Sequence, residues 1–108
     1  MRYPTISMRE LDCWITCRRP MELIDLRCRS AYEYSHLRGA VNIPFEELED
    51  MIDEECLFEL QEGVPLVLYC ARGGQSMLAC NHLSMWGYPV VNVAGGMAAY
   101  RGNWLIRT

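Results

Sequence analysis

A chain of 108 residues, 51% hydrophobic and 22% charged, suffices for one domain with one core and is too apolar to be disordered. Its formal charge of −4, with no block of Lys or Arg, argues against a nucleic-acid partner, because phosphate binding needs a basic footprint. No apolar run approaches the ~18 residues of a membrane span, and Met1-Arg2-Tyr3-Pro4 lacks the apolar centre of a signal peptide, so no membrane partner and a cytoplasmic location are expected.

Strand and helix signals alternate from the start. Thr5-Ile6-Ser7 reads as a short strand, and Ser7 with Glu10 forms a capping box for a helix whose apolar stripe is Leu11, Trp14 and Ile15. Pro20 lies just past its end. Met21–Leu26 is the next strand, and Ser30 is expected to cap a short helix reaching about Ser35. Gly39 breaks the pattern, and Ala40–Ile43 is briefly extended. Pro44 and Phe45 open an acidic amphipathic helix carrying Leu48, Met51 and Ile52, with Glu46–Asp50 and Asp53–Glu55 on its solvated face. A further helical piece is expected to hold Leu57, Phe58 and Leu60.

Gly63 ends that region. Pro65–Tyr69 is almost wholly apolar, as a central parallel strand covered on both faces requires, and Cys70 stands at its carboxyl end. A glycine-rich turn leads into a helix expected from about Ser76 to Trp86, with Ala79, Cys80, Leu83 and Trp86 along one face. Gly87 stops it, Val90–Val93 is the last strand, and Gly95-Gly96 starts a final short helix. The alternation predicts an α/β fold: one domain over residues 1–108, with a central, mostly parallel sheet flanked by helices. Ligands of such sheets bind beyond the carboxyl ends of the strands, where Cys70 stands.

Cysteines occur at positions 13, 17, 28, 56, 70 and 80, and reduced thiols are expected of them. Cys13 and Cys17 are four apart, on one side of a helix. Without a second pair of ligands they read as two buried core thiols rather than a metal site. No metal and no organic cofactor is implied. The three Trp and seven Met residues read as packing groups.

Chemistry concentrates in Cys70-Ala71-Arg72-Gly73-Gly74-Gln75-Ser76. An ordinary thiol is mostly protonated at neutral pH, and the nucleophile is the thiolate. Gly73 and Gly74 allow the positive φ angles with which a loop turns successive amides toward one anion. The helix that follows aims its positive end at the same point, and Arg72 adds a fixed charge. The same cradle would stabilise a persulfide, whose terminal sulfur is also an anion. A cysteine at a strand end is otherwise an inert core thiol, and the Gly-Gly turn and helix distinguish this one.

The order of segments resembles a rhodanese-like domain over nearly the whole chain. Leu23-Ile24-Asp25-Leu26-Arg27 is similar to that family's early strand. Ala31-Tyr32-Glu33-Tyr34-Ser35-His36-Leu37-Arg38-Gly39-Ala40-Val41-Asn42-Ile43-Pro44 is similar to its next signature. Val67-Leu68-Tyr69-Cys70 with Gly73 resembles the active-site strand and loop, and Gly87-Tyr88 through Val91-Asn92-Val93-Ala94-Gly95-Gly96-Met97-Ala98-Ala99-Tyr100 resembles the closing signature. Ser35 and Tyr100 depart from the family's usual Gly and Trp.

The resemblance implies a sulfurtransferase that moves sulfane sulfur from an anionic donor, such as thiosulfate or a protein persulfide, to a thiophile. The acceptor would be a thiol, a cyanide-like anion or a sulfur-relay protein. It implies Cys70 as the persulfide carrier, the amides of Ala71, Arg72, Gly73, Gly74, Gln75 and Ser76 as the cradle, and Arg72 as the attractor of the donor. Asp25, Arg27, Glu33 and His36 are assigned structural support, with Arg27 expected to pair with a carboxylate such as Glu33 and Asp25 to accept backbone N–H bonds. His82 is expected to be exposed. A binding or regulatory module of the same fold is the alternative. A Cys-dependent phosphatase would want Arg six positions after the cysteine, where Ser76 stands, and often His in place of Tyr69.

Overall fold

The structure, a computed structural model, describes residues 3–54 and 59–107. Cys56, Leu57 and Phe58, and with them most of the expected extra helical piece, lie outside the described residues. Leu60 lies in a non-helical stretch and packs against the core.

Five strands form the central sheet: β1 (Thr5–Ile6), β2 (Glu22–Asp25), β4 (Val41–Asn42), β5 (Leu66–Tyr69) and β6 (Val90–Val93). Their order is β1-β6-β5-β2-β4, and all four pairings are parallel. β5 and β6 are buried at every residue, as strands covered on both faces are, and Asn92 is the one amide side chain among their otherwise apolar or aromatic residues.

Side-chain alternation splits the interior into two cores. Leu23, Val67, Tyr69, Val91 and Val93 face the core closed by Met8, Leu11 and Ile15 of α1 (Met8–Thr16). Ile24, Leu66, Leu68, Cys70 and Val90 face the other. That core is closed by Leu48 and Ile52 of α3 (Phe45–Asp53) and by Ala79, Cys80 and Leu83 of α4 (Gly74–Met85). Helices therefore cover both faces. Burial of each such Leu contributes about 1.5–3 kcal/mol.

Local chemistry explains most of the element ends. The Ser7 hydroxyl accepts the Glu10 amide at 3.1 Å while the Glu10 carboxylate accepts the Ser7 amide at 3.3 Å. The short helix α2 (Arg29–Tyr34) is entered through Cys28, not Ser30, because Ser30 already lies in its first turn. A small antiparallel pair, β3 (Ser35–Leu37) with β7 (Leu105–Arg107), was not legible in the pattern. A 3-10 turn over Met97–Ala99 follows Gly95-Gly96.

Three packing expectations are corrected. Cys13 and Cys17 are exposed, because the inward stripe of α1 is Met8, Leu11 and Ile15 and the two thiols fall beside it. Trp86 is 48% exposed, since α4 ends at Met85 and Trp86 caps it instead of continuing its inner face. Of the methionines, Met8 is buried, but Met77 and Met85 lie on the outer side of α4 and do not fill the core. Among the described residues, no helix is long and apolar enough to cross a membrane.

Candidate active site

β5 ends at Tyr69, and Cys70 is the next residue along the core-facing side that Leu66 and Leu68 begin. The chain then turns through Ala71, Arg72 and Gly73. Gly73 has φ +103°, a conformation for which L side chains are unsuited, and it is the N-cap of α4. Gly74 is the first residue of the helix and has no positive φ, so Gly73 alone supplies the turn; α4 starts two residues before the expected Ser76.

A glycine N-cap offers no side chain to the free amides of a first helical turn. Here the sulfur of Cys70 takes that place. The Gly73 amide donates to Sγ at 3.0 Å and the Ser76 amide at 3.4 Å, while the thiol lies 3.6 Å from the Ser76 hydroxyl. Burial raises the thiol's pKa, but the Ser76 hydroxyl and the amides of Ser76, Gly73 and Arg72 outweigh it, and the net direction is downward. Cys70 is 2% exposed, so the sulfur lies just beneath a rim of exposed residues, Ala71, Arg72, Gly74 and Gln75. Of these four, Arg72 adds its amide to the sulfur's surroundings; Ala71, Gly74 and Gln75 make no hydrogen bond to the sulfur among the described residues.

The closing glycine pair fixes this loop from outside. The Met97 amide donates to the Cys70 carbonyl at 2.8 Å and the Ala98 amide to the Ala71 carbonyl at 3.0 Å. Gly96 has φ +59°, and a Cβ there would stand 2.5 Å from the Cys70 oxygen. The last signature of the sequence thus holds the cradle closed.

The expected supporting residues lie elsewhere. Asp25 pairs with Tyr69 across the strands, on the face opposite Cys70. Its carboxylate accepts the Arg27 amide at 2.9 Å, the Arg27 guanidinium at 2.7 Å and the Tyr69 hydroxyl at 2.6 Å. The carboxylate that Arg27 grips at 2.7 Å is that of Asp25, since residues two apart at a strand end share a face; Glu33 lies exposed on α2. Arg27 also donates to the Ser35 carbonyl at 2.6 Å. His36 Nδ1 lies 2.9 Å from the Tyr32 carbonyl, with its ring stacked on Tyr32. His82 is exposed and bridges to Glu49 at 2.7 Å.

Sequence reading missed the part of two buried residues on the cysteine's side of the sheet, one of them joined to the sulfur through Ser76. Asn92 is buried in β6 opposite Leu68, and its Oδ1 accepts the Ser76 hydroxyl at 2.7 Å. The available signal was one amide inside Val90-Val91-Asn92-Val93, at the register that faces Cys70. Cys80 is fully buried on the inner side of α4, and burial, followed by charge at Cys70, pushes its thiol up to about 12. Among the described residues, no three His, Cys, Asp or Glu side chains come together to hold a metal ion.

The rhodanese-like domain profile matches residues 7–103. Thiosulfate sulfurtransferase PspE of Escherichia coli is 35% identical over 74 residues, 68% of each chain. The Adenylyltransferase and sulfurtransferase MOCS3 of Anopheles gambiae is 39% identical over 83 residues, covering 73% of this chain but 19% of that much longer protein. The Putative sulfur carrier protein YrkF of Bacillus subtilis is 28% identical over 100 residues, 92% of this chain and 51% of its own length. Among solved structures, the rhodanese-like domain from an Anabaena protein superposes with a TM-score of 0.79 at 26% identity, over 99% of this chain and 81% of that one.

Proposed function

From the premise that the chain belongs to the rhodanese-like domain family, we propose that it is a sulfurtransferase with Cys70 as the sulfur carrier. The observation that supports this reading is the pair of amides, Gly73 and Ser76, directed at the Cys70 sulfur, which stands where a side-chain cap of α4 would. The cysteine thiolate attacks the outer sulfur of thiosulfate, the S–S bond of the donor breaks, and sulfite leaves with the electron pair. The charge then rests on the terminal sulfur of Cys70–S–S⁻, within reach of the same amides. A thiolate or cyanide-like anion attacks that terminal sulfur, takes it away and returns the Cys70 thiolate. No general base is required in either step, and His36 is engaged on the separate β3–β7 pair, where its ring stacks on Tyr32.

Sulfur-relay proteins are proposed as physiological donors or acceptors, since relatives carry the names of sulfur carriers and sulfurtransferases. The cytoplasm is the proposed compartment: the five described cysteines are free thiols, as a reducing environment keeps them. Arg72, exposed on the rim, is the proposed attractor of the donor.

The depth of Cys70, 2% exposed, favours a second reading in which the fold serves as a binding module. One experiment separates the two. The protein is incubated with thiosulfate and its intact mass recorded before and after cyanide treatment. Gain of one cyanide-labile sulfur by the wild type, lost in Cys70→Ser, supports the transferase. A folded protein that gains none from thiosulfate or from a persulfide donor is the binding module.

A further inference from the structure

Ser76 has one hydroxyl hydrogen and three acceptors within its reach. Asn92 Oδ1 is nearest at 2.7 Å, the Gly73 carbonyl lies at 3.2 Å and the Cys70 sulfur at 3.6 Å. Ser76 is fully buried, Asn92 5% exposed and Cys70 2% exposed, so a choice among these acceptors is not rescued cheaply by water. We propose that Asn92 is a positioning residue that competes with the Cys70 sulfur for the Ser76 hydroxyl hydrogen and thereby limits the support which that hydroxyl gives to the thiolate.

The reasoning is a count of hydrogens. With Cys70 as a thiol, the S–H donates to Ser76 Oγ and the Ser76 O–H donates to Asn92 Oδ1, so both hydrogens are used. When the thiol ionises, its proton leaves to solvent and the sulfur can only accept. The Ser76 hydroxyl can turn to the sulfur only by deserting the Asn92 carbonyl, which then stays buried and unpaired, or by a turn of the Asn92 amide that brings Nδ2 to Ser76 Oγ. Either path carries a cost. Asn92 therefore opposes the amides of Gly73 and Ser76, which favour the thiolate at all times. A thiol that keeps its proton is less open to oxidation between turnovers, and the amide turn gives the cradle a route to its charged form.

Other groups around Cys70 do not supply this control. On its face of the sheet the titratable neighbours are Cys80 of α4, held protonated by burial, and Tyr3 and Tyr88, which pack against the same core. The charge of Arg72 lies on the exposed rim, and His82 is engaged with Glu49 between α4 and α3. Asp25, Arg27 and Tyr69 form their network on the opposite face.

The inference rests on Cys70 being the working thiol, but its test does not require sulfur transfer. The rate of iodoacetamide alkylation at Cys70 is followed across pH by mass spectrometry of its own peptide, in full-length wild type, Asn92→Ala, Asn92→Asp, Ser76→Ala and the Ser76→Ala/Asn92→Ala double variant. Asn92→Ala releases the hydroxyl to the sulfur, and alkylation at neutral pH becomes about threefold to tenfold faster, with the profile displaced to lower pH. Asn92→Asp, an acceptor that cannot turn over to donate, displaces it to higher pH. In the Ser76→Ala background the Asn92→Ala change has no further effect, because the connecting hydroxyl is gone. An equal shift from Asn92→Ala with and without Ser76, no shift, or a shift to higher pH overturns the proposal. If Asn92→Ala does not fold, Asn92→Val, better suited to a central strand, carries the same comparison. A protein that accepts no sulfur still gives this profile, so failure here and failure of the transferase reading are separate results.

Discussion

The hydroxyl of Tyr69 donates to Asp25 Oδ2 over 2.6 Å, one residue before Cys70 and on the other side of the same sheet. The phenol oxygen also accepts the Leu37 amide at 3.2 Å, and burial, then the charge of Asp25, raises the pKa of the phenol. Asp25 in turn holds Arg27, whose side chain is 11% exposed. Three strands, β2, β5 and β3, are thus tied at the end of the sheet from which the cradle emerges.

Removing the carboxylate should therefore act on stability and not on the sulfur. Asp25→Ala leaves a nearly buried guanidinium without its anion, and a loss of about 3–5 kcal/mol is expected in urea unfolding. Tyr69→Phe, which takes away one donor and one acceptor, should lose about 1–3 kcal/mol. The alkylation profile of Cys70 in the folded fraction should stay that of the wild type for both, because neither group faces the sulfur. A displaced profile would mean that the network reaches through the sheet.

The second glycine of the closing pair should be as sensitive as the cradle glycine. At Gly96 any side chain must displace the Cys70 carbonyl, 2.5 Å from its Cβ, in a backbone conformation that φ +59° and ψ −166° reserve for glycine. At Gly73 a Cβ meets the Gly95 amide nitrogen at 3.1 Å with φ at +103°. Gly96→Ala and Gly73→Ala should each lose about 1–3 kcal/mol and slow Cys70 alkylation at neutral pH, since both shift the amides that face the sulfur. Gly74→Ala is the control: a helical position with open space should keep the cradle and gain slightly in stability. Equal effects at all three would show that the turn is set by something other than these two positions.

The sheet was legible because burial on both faces forces largely apolar runs at residues 66–69 and 90–93, and the cradle because a cysteine at a strand end met a glycine turn. Pairing by proximity in sequence was weaker ground. Arg27 was expected to pair with a nearby carboxylate, Glu33 being the example offered, and alternation along the strand makes Asp25, two residues away, that carboxylate. Cys13 and Cys17 share a helix face, but four-residue spacing does not say which face, and the stripe of Met8, Leu11 and Ile15 decides it against them. Asn92 was invisible because its meaning depends on a register between strands more than twenty positions apart. The β3–β7 pair joins residues 35 and 107, a contact that local pattern cannot carry.

Stability should fall on the alkaline side, and Cys80 sets where the fall begins. Its thiol ionises near 9.0 when free and near 12 in the fold, mainly through burial. A raised value contributes stability that is present below pH 9 and lost as pH climbs toward 12. Tyr100, raised by burial from 10.0 to about 12, joins from pH 10. Cys70 works in the opposite sense: its value is lowered, so its contribution is present above 9.0 and lost as pH falls through its folded value. Tyr3 and Tyr69 are raised by burial as well, and these four raised groups against the lowered Cys70 and Cys28 give a net decline between pH 9 and 11. Chemical denaturation at fixed pH should show it, and Cys80→Ala should remove the part that begins at 9. A decline unchanged in Cys80→Ala would assign it to the tyrosines alone.

Arg72 should affect capture of the donor and leave the chemistry of the sulfur alone. Its side chain is exposed on the rim, and its contribution to the Cys70 thiol comes from the backbone amide, which any replacement except proline retains. Arg72→Ala should therefore keep the alkylation profile of Cys70 while raising KM for thiosulfate about threefold to tenfold at low ionic strength, with kcat nearly constant. An exposed charge acts through water, and at ~0.1 M salt its reach shrinks to about 10 Å. The difference between wild type and Arg72→Ala should accordingly narrow as salt is added, and Arg72→Lys should recover most of the loss. Kinetics that are indifferent to Arg72 at every ionic strength would leave the helix end and the two amides as the whole of the anion's attraction. A fall in kcat with KM unchanged would instead bring the guanidinium down onto the sulfur, from the rim to the reacting atoms.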